Sequence, residues 1–216
     1  MDYLHVDSIT KNYASKTVLS NLFIACHTGS IIGLLGRNGT GKSTLLKIIF
    51  GSEKADFKFQ KINNTIIRKT HRWISYLPQD NFLPKKIKIK TLISLFCEKN
   101  SVKELYDNEF IAPYLHCYSN ELSGGEKRII EILMILNTSA KFILLDEPFN
   151  GVSPINKKEI IKMIRKKSTT KGVILTDHDY HSILEVATEI KLLHNSALFD
   201  IRQVDQLAEY GYIYSN

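Results

Sequence analysis

The run Gly36-Arg37-Asn38-Gly39-Thr40-Gly41-Lys42-Ser43 follows the spacing G-x-x-x-x-G-K-S, which suits the cradling of phosphate. Gly36, Gly39 and Gly41, with Asn38 between them, let backbone amides turn inward around an anion, and a following helix adds its positive end. Lys42 then has the reach for outer phosphates, Ser43 offers a hydroxyl to Mg²⁺, and Thr44 a second hydroxyl to a neighbouring phosphate. Farther on, Phe142-Ile143-Leu144-Leu145 ends in Asp146 and Glu147. Two carboxylates at the end of a buried strand are costly unless a cation or a proton transfer uses them. Asp146 suits Mg²⁺, held directly or through water. Glu147, one position on, is placed to orient and deprotonate an attacking water. Gln79 follows Trp73 to Pro78 and His178 follows Val173 to Asp177, so both are expected at strand ends. A Gln there can ligate Mg²⁺ and touch the water, and a His can hydrogen-bond a terminal phosphate.

These groups need a scaffold that delivers them to one place. Ile31 to Leu35, Phe142 to Leu145 and Val173 to Thr176 are continuously apolar, as parallel strands covered on both faces must be. Each ends in polar or glycine residues, which predicts a site at the carboxyl ends of an open α/β sheet. Thr44 to Ile49 continues the phosphate loop as a helix. Tyr3 to Val6, Val18 to Ala25 and the alternating Phe57 to Ile62 predict an antiparallel layer. From about 80 to 135 the pattern turns helical, with Leu92 to Phe96 and Ser123 to Leu136 as helices of an inserted subdomain. His194-Asn195-Ser196 predicts the turn of a last hairpin.

The 216 residues suffice for one compact domain with subdomains. Lys and Arg number 29 against 22 Asp and Glu, a formal charge of +7, which suits an acidic partner or an anionic surface without identifying either. Cys26, Cys97 and Cys117 are odd in number and form no C-x-x-C pair, so a reducing, cytoplasmic setting is expected. Asp2, His5 and Asp7 interrupt any secretory core. Apolar stretches fall short of the roughly 20 residues that span a bilayer, so a membrane role would need another chain.

Leu122-Ser123-Gly124-Gly125-Glu126-Lys127-Arg128 carries a capping box, Ser123 with Glu126, that starts a helix. The glycines Gly124 and Gly125 within the cap leave amides exposed as a second anion site, and a second site beside one phosphate loop implies a second subunit. The string resembles the LSGGQ signature of the ATP-binding-cassette (ABC) ATPases, with Glu in the fifth place. The family's other motifs follow its order: an aromatic A-loop residue at Tyr13, Walker A at 36–43, Gln79, the signature, Walker B ending at Asp146, and His178.

The resemblance spans the whole chain and implies a P-loop NTPase of ABC type: an α/β fold with a mostly parallel core sheet, an antiparallel β subdomain and an inserted helical subdomain. It implies a single ABC ATPase domain over 1–216, with ATP and Mg²⁺ as ligands. Tyr13 would stack on adenine, and Ser123, Gly124 and Gly125 of one subunit would close over ATP held by the Walker A loop of another. The partners implied are separate transmembrane permease subunits and a second copy of the chain or a sister ATPase, on the cytoplasmic face of the membrane, with no nucleic acid. The run Glu147-Pro148-Phe149-Asn150-Gly151-Val152 is similar to ATPases of lipopolysaccharide export and branched-chain amino-acid import. A departure follows: Ser153 stands where the family's D-loop usually has Asp, which puts symmetric coupling of two sites in question. An alternative is a soluble ABC ATPase serving a cytosolic assembly such as an iron–sulfur scaffold. DNA-repair and ribosome-associated ABC proteins fit less well, because they carry coiled-coil, zinc-binding or tandem-cassette additions. After Gln79, Phe82 and Leu83 are expected to anchor the membrane partner, and Lys85 to Lys90 to form a solvated edge strand.

Overall fold

The computed structural model describes residues 1–213. In chain order the elements are β1 (Tyr3–Tyr13), β2 (Lys16–His27), β3 (Ile31–Leu35), α1 (Lys42–Phe50), β4 (Phe57–Ile62), β5 (Thr65–Ile66), β6 (Ile74–Leu77), α2 (Ile89–Phe96), α3 (Lys99–Tyr106) and α4 (Gly124–Leu136). The chain continues through β7 (Phe142–Asp146), α5 (Pro154–Ser168), β8 (Gly172–Thr176), α6 (Tyr180–Val186), β9 (Glu189–His194), β10 (Ala197–Ile201) and α7 (Asp205–Glu209). One sheet has the order β10-β9-β3-β8-β7-β6. Its inner pairs are parallel and only β10 runs against its neighbour. The other sheet is antiparallel, with the order β2-β1-β4-β5.

The apolar strands are continuous because the sheet has a core on each face. Ile32, Leu34, Leu144 and Ile174 face one cluster with the antiparallel sheet and α1. Ile31, Leu35, Ile143, Leu145, Val173 and Leu175 face the other, with α4 and α5. Alternation sends successive side chains to opposite faces, so a strand between two cores has no polar side. Gly33 is required by close packing: a Cβ there would lie 2.4 Å from Ile183 of α6.

The α/β fold and its two sheets are as expected, and α2 to α4 fall between β6 and β7. The predicted first strands are too short, since β1 and β2 run on to Tyr13 and His27. Asn195 and Ser196, at φ 48° and 62°, turn the β9–β10 hairpin. The edge strand expected at Lys85 to Lys90 is corrected. Lys88 makes one isolated bridge to Tyr118, and α2 begins at Ile89, whose side chain is fully buried. Leu83 is likewise corrected as a docking anchor: it lies in the core cluster at 9% exposure, while Phe82 beside it is 37% exposed. All three cysteines are free, and burial pushes the Cys26 and Cys97 thiols up to about 12, which leaves them unreactive. Among the described residues, no helix is long and apolar enough to cross a membrane.

Candidate functional site

The loop after β3, the segment after β6, and the ends of β7 and β8 meet around one cleft of about 550 Å³. Asn38, Gly39, Gly41, Lys42, Ser43, Thr44, Gln79, Glu147 and His178 line it, with Tyr13 at its edge. Gly41, at φ 107°, is held to glycine by conformation and by space, because a Cβ would lie 2.6 Å from Val18. Lys42 caps the cleft floor: its ammonium donates to the carbonyls of Gly36 at 2.6 Å and Arg37 at 3.1 Å. Burial pushes its pKa down, and the nearby carboxylates of Glu147, Asp146 and Asp177 push back. A phosphate at the loop would give this cation the anionic partner that neutral carbonyls only partly replace.

Asp146 is fully buried and both of its oxygens are engaged. Ser43 Oγ donates to one at 2.9 Å and Tyr76 OH to the other at 2.8 Å. Burial, then the Asp146 charge, raises the Tyr76 phenol pKa, so it stays a donor. Neighbouring oxygen ligands of an octahedral Mg²⁺ lie about 2.9 Å apart, given bonds of about 2.1 Å, so the Ser43–Asp146 pair suits that ion. Among the described residues no cluster of three acidic, His or Cys side chains could hold a metal.

Glu147 sits one residue beyond, 5% exposed, with φ at 52°. That left-handed backbone costs on the order of 1–3 kcal/mol in a non-glycine residue. It is held by the Glu147 amide donating to Thr176 O at 2.8 Å. The carboxylate thereby reaches two further candidate residues: Gln79 Nε2 donates to one oxygen at 3.0 Å, and His178 Nε2 lies 2.7 Å from the other. Gln79 and His178, each just beyond a strand end, thus share the Glu147 carboxylate at the cleft wall.

Ser123, Gly124 and Gly125 are not among the residues lining the cleft. They form the start of α4, where Ser123 Oγ accepts from the Glu126 amide at 3.3 Å and Glu126 accepts from the Ser123 amide at 2.7 Å, the expected capping box. The box satisfies only part of the helix terminus, and the first amides of α4 keep their capacity for an outside acceptor. Ser153 caps α5, its Oγ accepting from the Asn156 amide at 3.3 Å.

Several residues around the site escaped the sequence reading. Lys16 and Val18 line the cleft. Lys11 Nζ lies 4.7 Å from the centre of the Tyr13 ring. Asp177 accepts from the Phe149 amide at 3.0 Å, tying the loop after β7 to β8. Arg128, 3% exposed, donates to Pro78 O at 2.7 Å, Asp146 O at 2.6 Å and Glu147 O at 2.9 Å. The available signal was an Arg and a Glu spaced i, i+3 inside a helix otherwise too apolar to be a surface.

The family described as ABC transporter is matched over residues 19–150. The lipopolysaccharide export ATP-binding protein LptB of Haemophilus influenzae is 31% identical over 203 residues, covering 86% of this chain and 84% of the relative. The LptB of Acidithiobacillus ferridurans is 30% identical over 210 residues, covering 90% and 87%. The solved ATP-binding subunit of an ABC transporter superposes with a TM-score of 0.85 at 19% identity, over 99% of this chain and 95% of that one.

Proposed function

The chain belongs to the ABC transporter family, as an ATP-binding subunit whose general activity is ATP hydrolysis, and from that premise we propose how its residues divide the work. The chain acts as a single ATPase domain. Lys42 and the loop amides bind the β and γ phosphates of ATP, Tyr13 stacks on adenine, and Ser43, Asp146 and Gln79 hold Mg²⁺, which would neutralise phosphate charge when bound. Glu147 orients the attacking water and takes its proton, while Gln79 and His178 keep its carboxylate aimed at the terminal phosphate.

The observation that carries this reading is the convergence of Gln79 and His178 on Glu147, 3.0 and 2.7 Å away, in the cleft that also holds Lys42. Ser123, Gly124 and Gly125 complete the site from outside. They belong to a second copy or a sister ATPase, related head to tail so that each signature closes over the other's Walker A loop. The relatives are named as export subunits, which supports a transport motor joined to separate membrane subunits over a cytosolic assembly factor. Phe82, exposed beside Gln79, is the apolar anchor for such a partner.

General-base catalysis is worth about 10²- to 10⁴-fold in rate, so Glu147→Gln lowers kcat by that range while ATP affinity persists. Steady-state ATPase assays beside equilibrium nucleotide binding check this. Hydrolysis at the parent rate removes Glu147 from the catalytic role.

A further inference from the structure

Glu131 is fully buried in the middle of α4, outside the cleft, and none of the roles above uses it. One of its oxygens accepts from two consecutive backbone amides, Phe82 at 2.8 Å and Leu83 at 3.3 Å. Its other oxygen has no hydrogen-bond partner among the described residues and lies 3.5 Å from Arg128 Nη1. Arg128 Nε is likewise without a partner. A buried ion pair built for stability engages its donors and acceptors fully, because desolvation otherwise outweighs the attraction. Here the better bonds run to backbone instead. Arg128 takes the carbonyl of Pro78, just before Gln79, and Glu131 takes the amides of Phe82 and Leu83, just after it. Gln79 is therefore bracketed on both sides by side chains one turn apart on a single helix.

We propose that Glu131 is a positioning residue for hydrolysis: its carboxylate oxygen clasps the segment after β6 to α4, and so sets Gln79 against Glu147. The inference rests on the catalytic reading of Gln79 and Glu147. It adds that reach to the two amides, and not the charge opposite Arg128, is the property required.

Two conservative substitutions separate reach from charge. Glu131→Gln keeps an acceptor oxygen at the same distance and loses the charge. Glu131→Asp keeps the charge and shortens the side chain by one methylene. Misplacing a catalytic group by about 1 Å costs about 10²-fold, so Glu131→Asp lowers kcat by roughly ten- to a hundredfold. Glu131→Gln stays within about threefold of the parent, and both keep their nucleotide Kd, the pattern of a lost transition-state interaction. Loss in Glu131→Gln with activity kept in Glu131→Asp overturns the proposal in favour of a structural ion pair. Equal losses, or none in either, overturn it too. If a variant fails to fold, amide hydrogen exchange on the parent decides: slow exchange at Phe82 and Leu83 supports the clasp, and exchange as fast as an open loop refutes it. Glu147→Gln, measured alongside, keeps the two questions apart, because its inactivity upholds the catalytic reading whatever the Glu131 pair does.

Discussion

On the proposed reading, Lys42 carries the main share of phosphate binding in one side chain. Its ammonium donates to two loop carbonyls, with three carboxylates nearby. A charged hydrogen bond contributes about 1.5–3 kcal/mol, so Lys42→Ala weakens ATP binding by roughly ten- to a hundredfold. Isothermal titration on the variant checks this, with a cooperative thermal melt showing that the domain still folds. Near-parent affinity contradicts the assignment. At this scale the sequence was most readable where chemistry forces spacing. Lys42, Ser43, Asp146, Glu147, Gln79 and His178 were all named from motif position, and all but the buried Asp146 line the cleft. Asp146 lies beneath, bonded to Ser43. Tyr76, Arg128 and Glu131 were not assigned roles, for a physical reason. A Tyr in a strand has an ordinary surface meaning, and the one sign that the Arg–Glu pair turns inward is the apolar run around it on α4.

Among elements, strands between two cores were legible from continuous apolarity, while the rims were not. Lys85-Lys86-Ile87-Lys88-Ile89-Lys90 alternates with period two and so reads as a strand. In the fold the buried Ile89 instead opens α2, and the segment forms only an isolated bridge, Lys88 to Tyr118, with the Ile89 amide donating to Cys117 O at 3.1 Å. Four to six residues of alternation cannot distinguish a strand from an extended lead into a helix. The departure at Ser153 also finds its meaning at this scale, since a Ser caps α5 as an Asp would, preceding Pro154 at the first helical position. Asp179 caps α6, accepting from the Ser182 amide at 3.4 Å, and pairs with Lys157 at 2.6 Å. The Lys157 hydrogen bond, then that of the Ser182 hydroxyl, lowers its pKa from 3.8 to about 2. Because the folded value lies below the unfolded one, the stabilisation is complete above 3.8 and vanishes as pH falls through about 2. Denaturant melts should therefore find Asp179→Asn less stable than the parent near neutral pH, with the gap closing in acid. A gap independent of pH contradicts that linkage.

For the whole molecule, one feature organises the rest: a cleft where Lys42, Ser43, Gln79, Glu147 and His178 meet, and a capped helix terminus, rich in glycine, that lies outside it. Two copies related by a twofold axis would bring each terminus over the other's cleft, giving two equivalent sites from one interface. The direct measurement is the oligomeric state of Glu147→Gln with Mg·ATP, by light scattering after size exclusion, with and without Ser123→Arg. A protein that binds ATP and cannot cleave it should accumulate as a dimer, return to monomer in ADP, and fail to dimerise once Arg at 123 blocks the terminus, while each monomer still binds ATP. A dimer unaffected by Ser123→Arg, or a Glu147→Gln protein that stays monomeric in saturating Mg·ATP, contradicts the shared site.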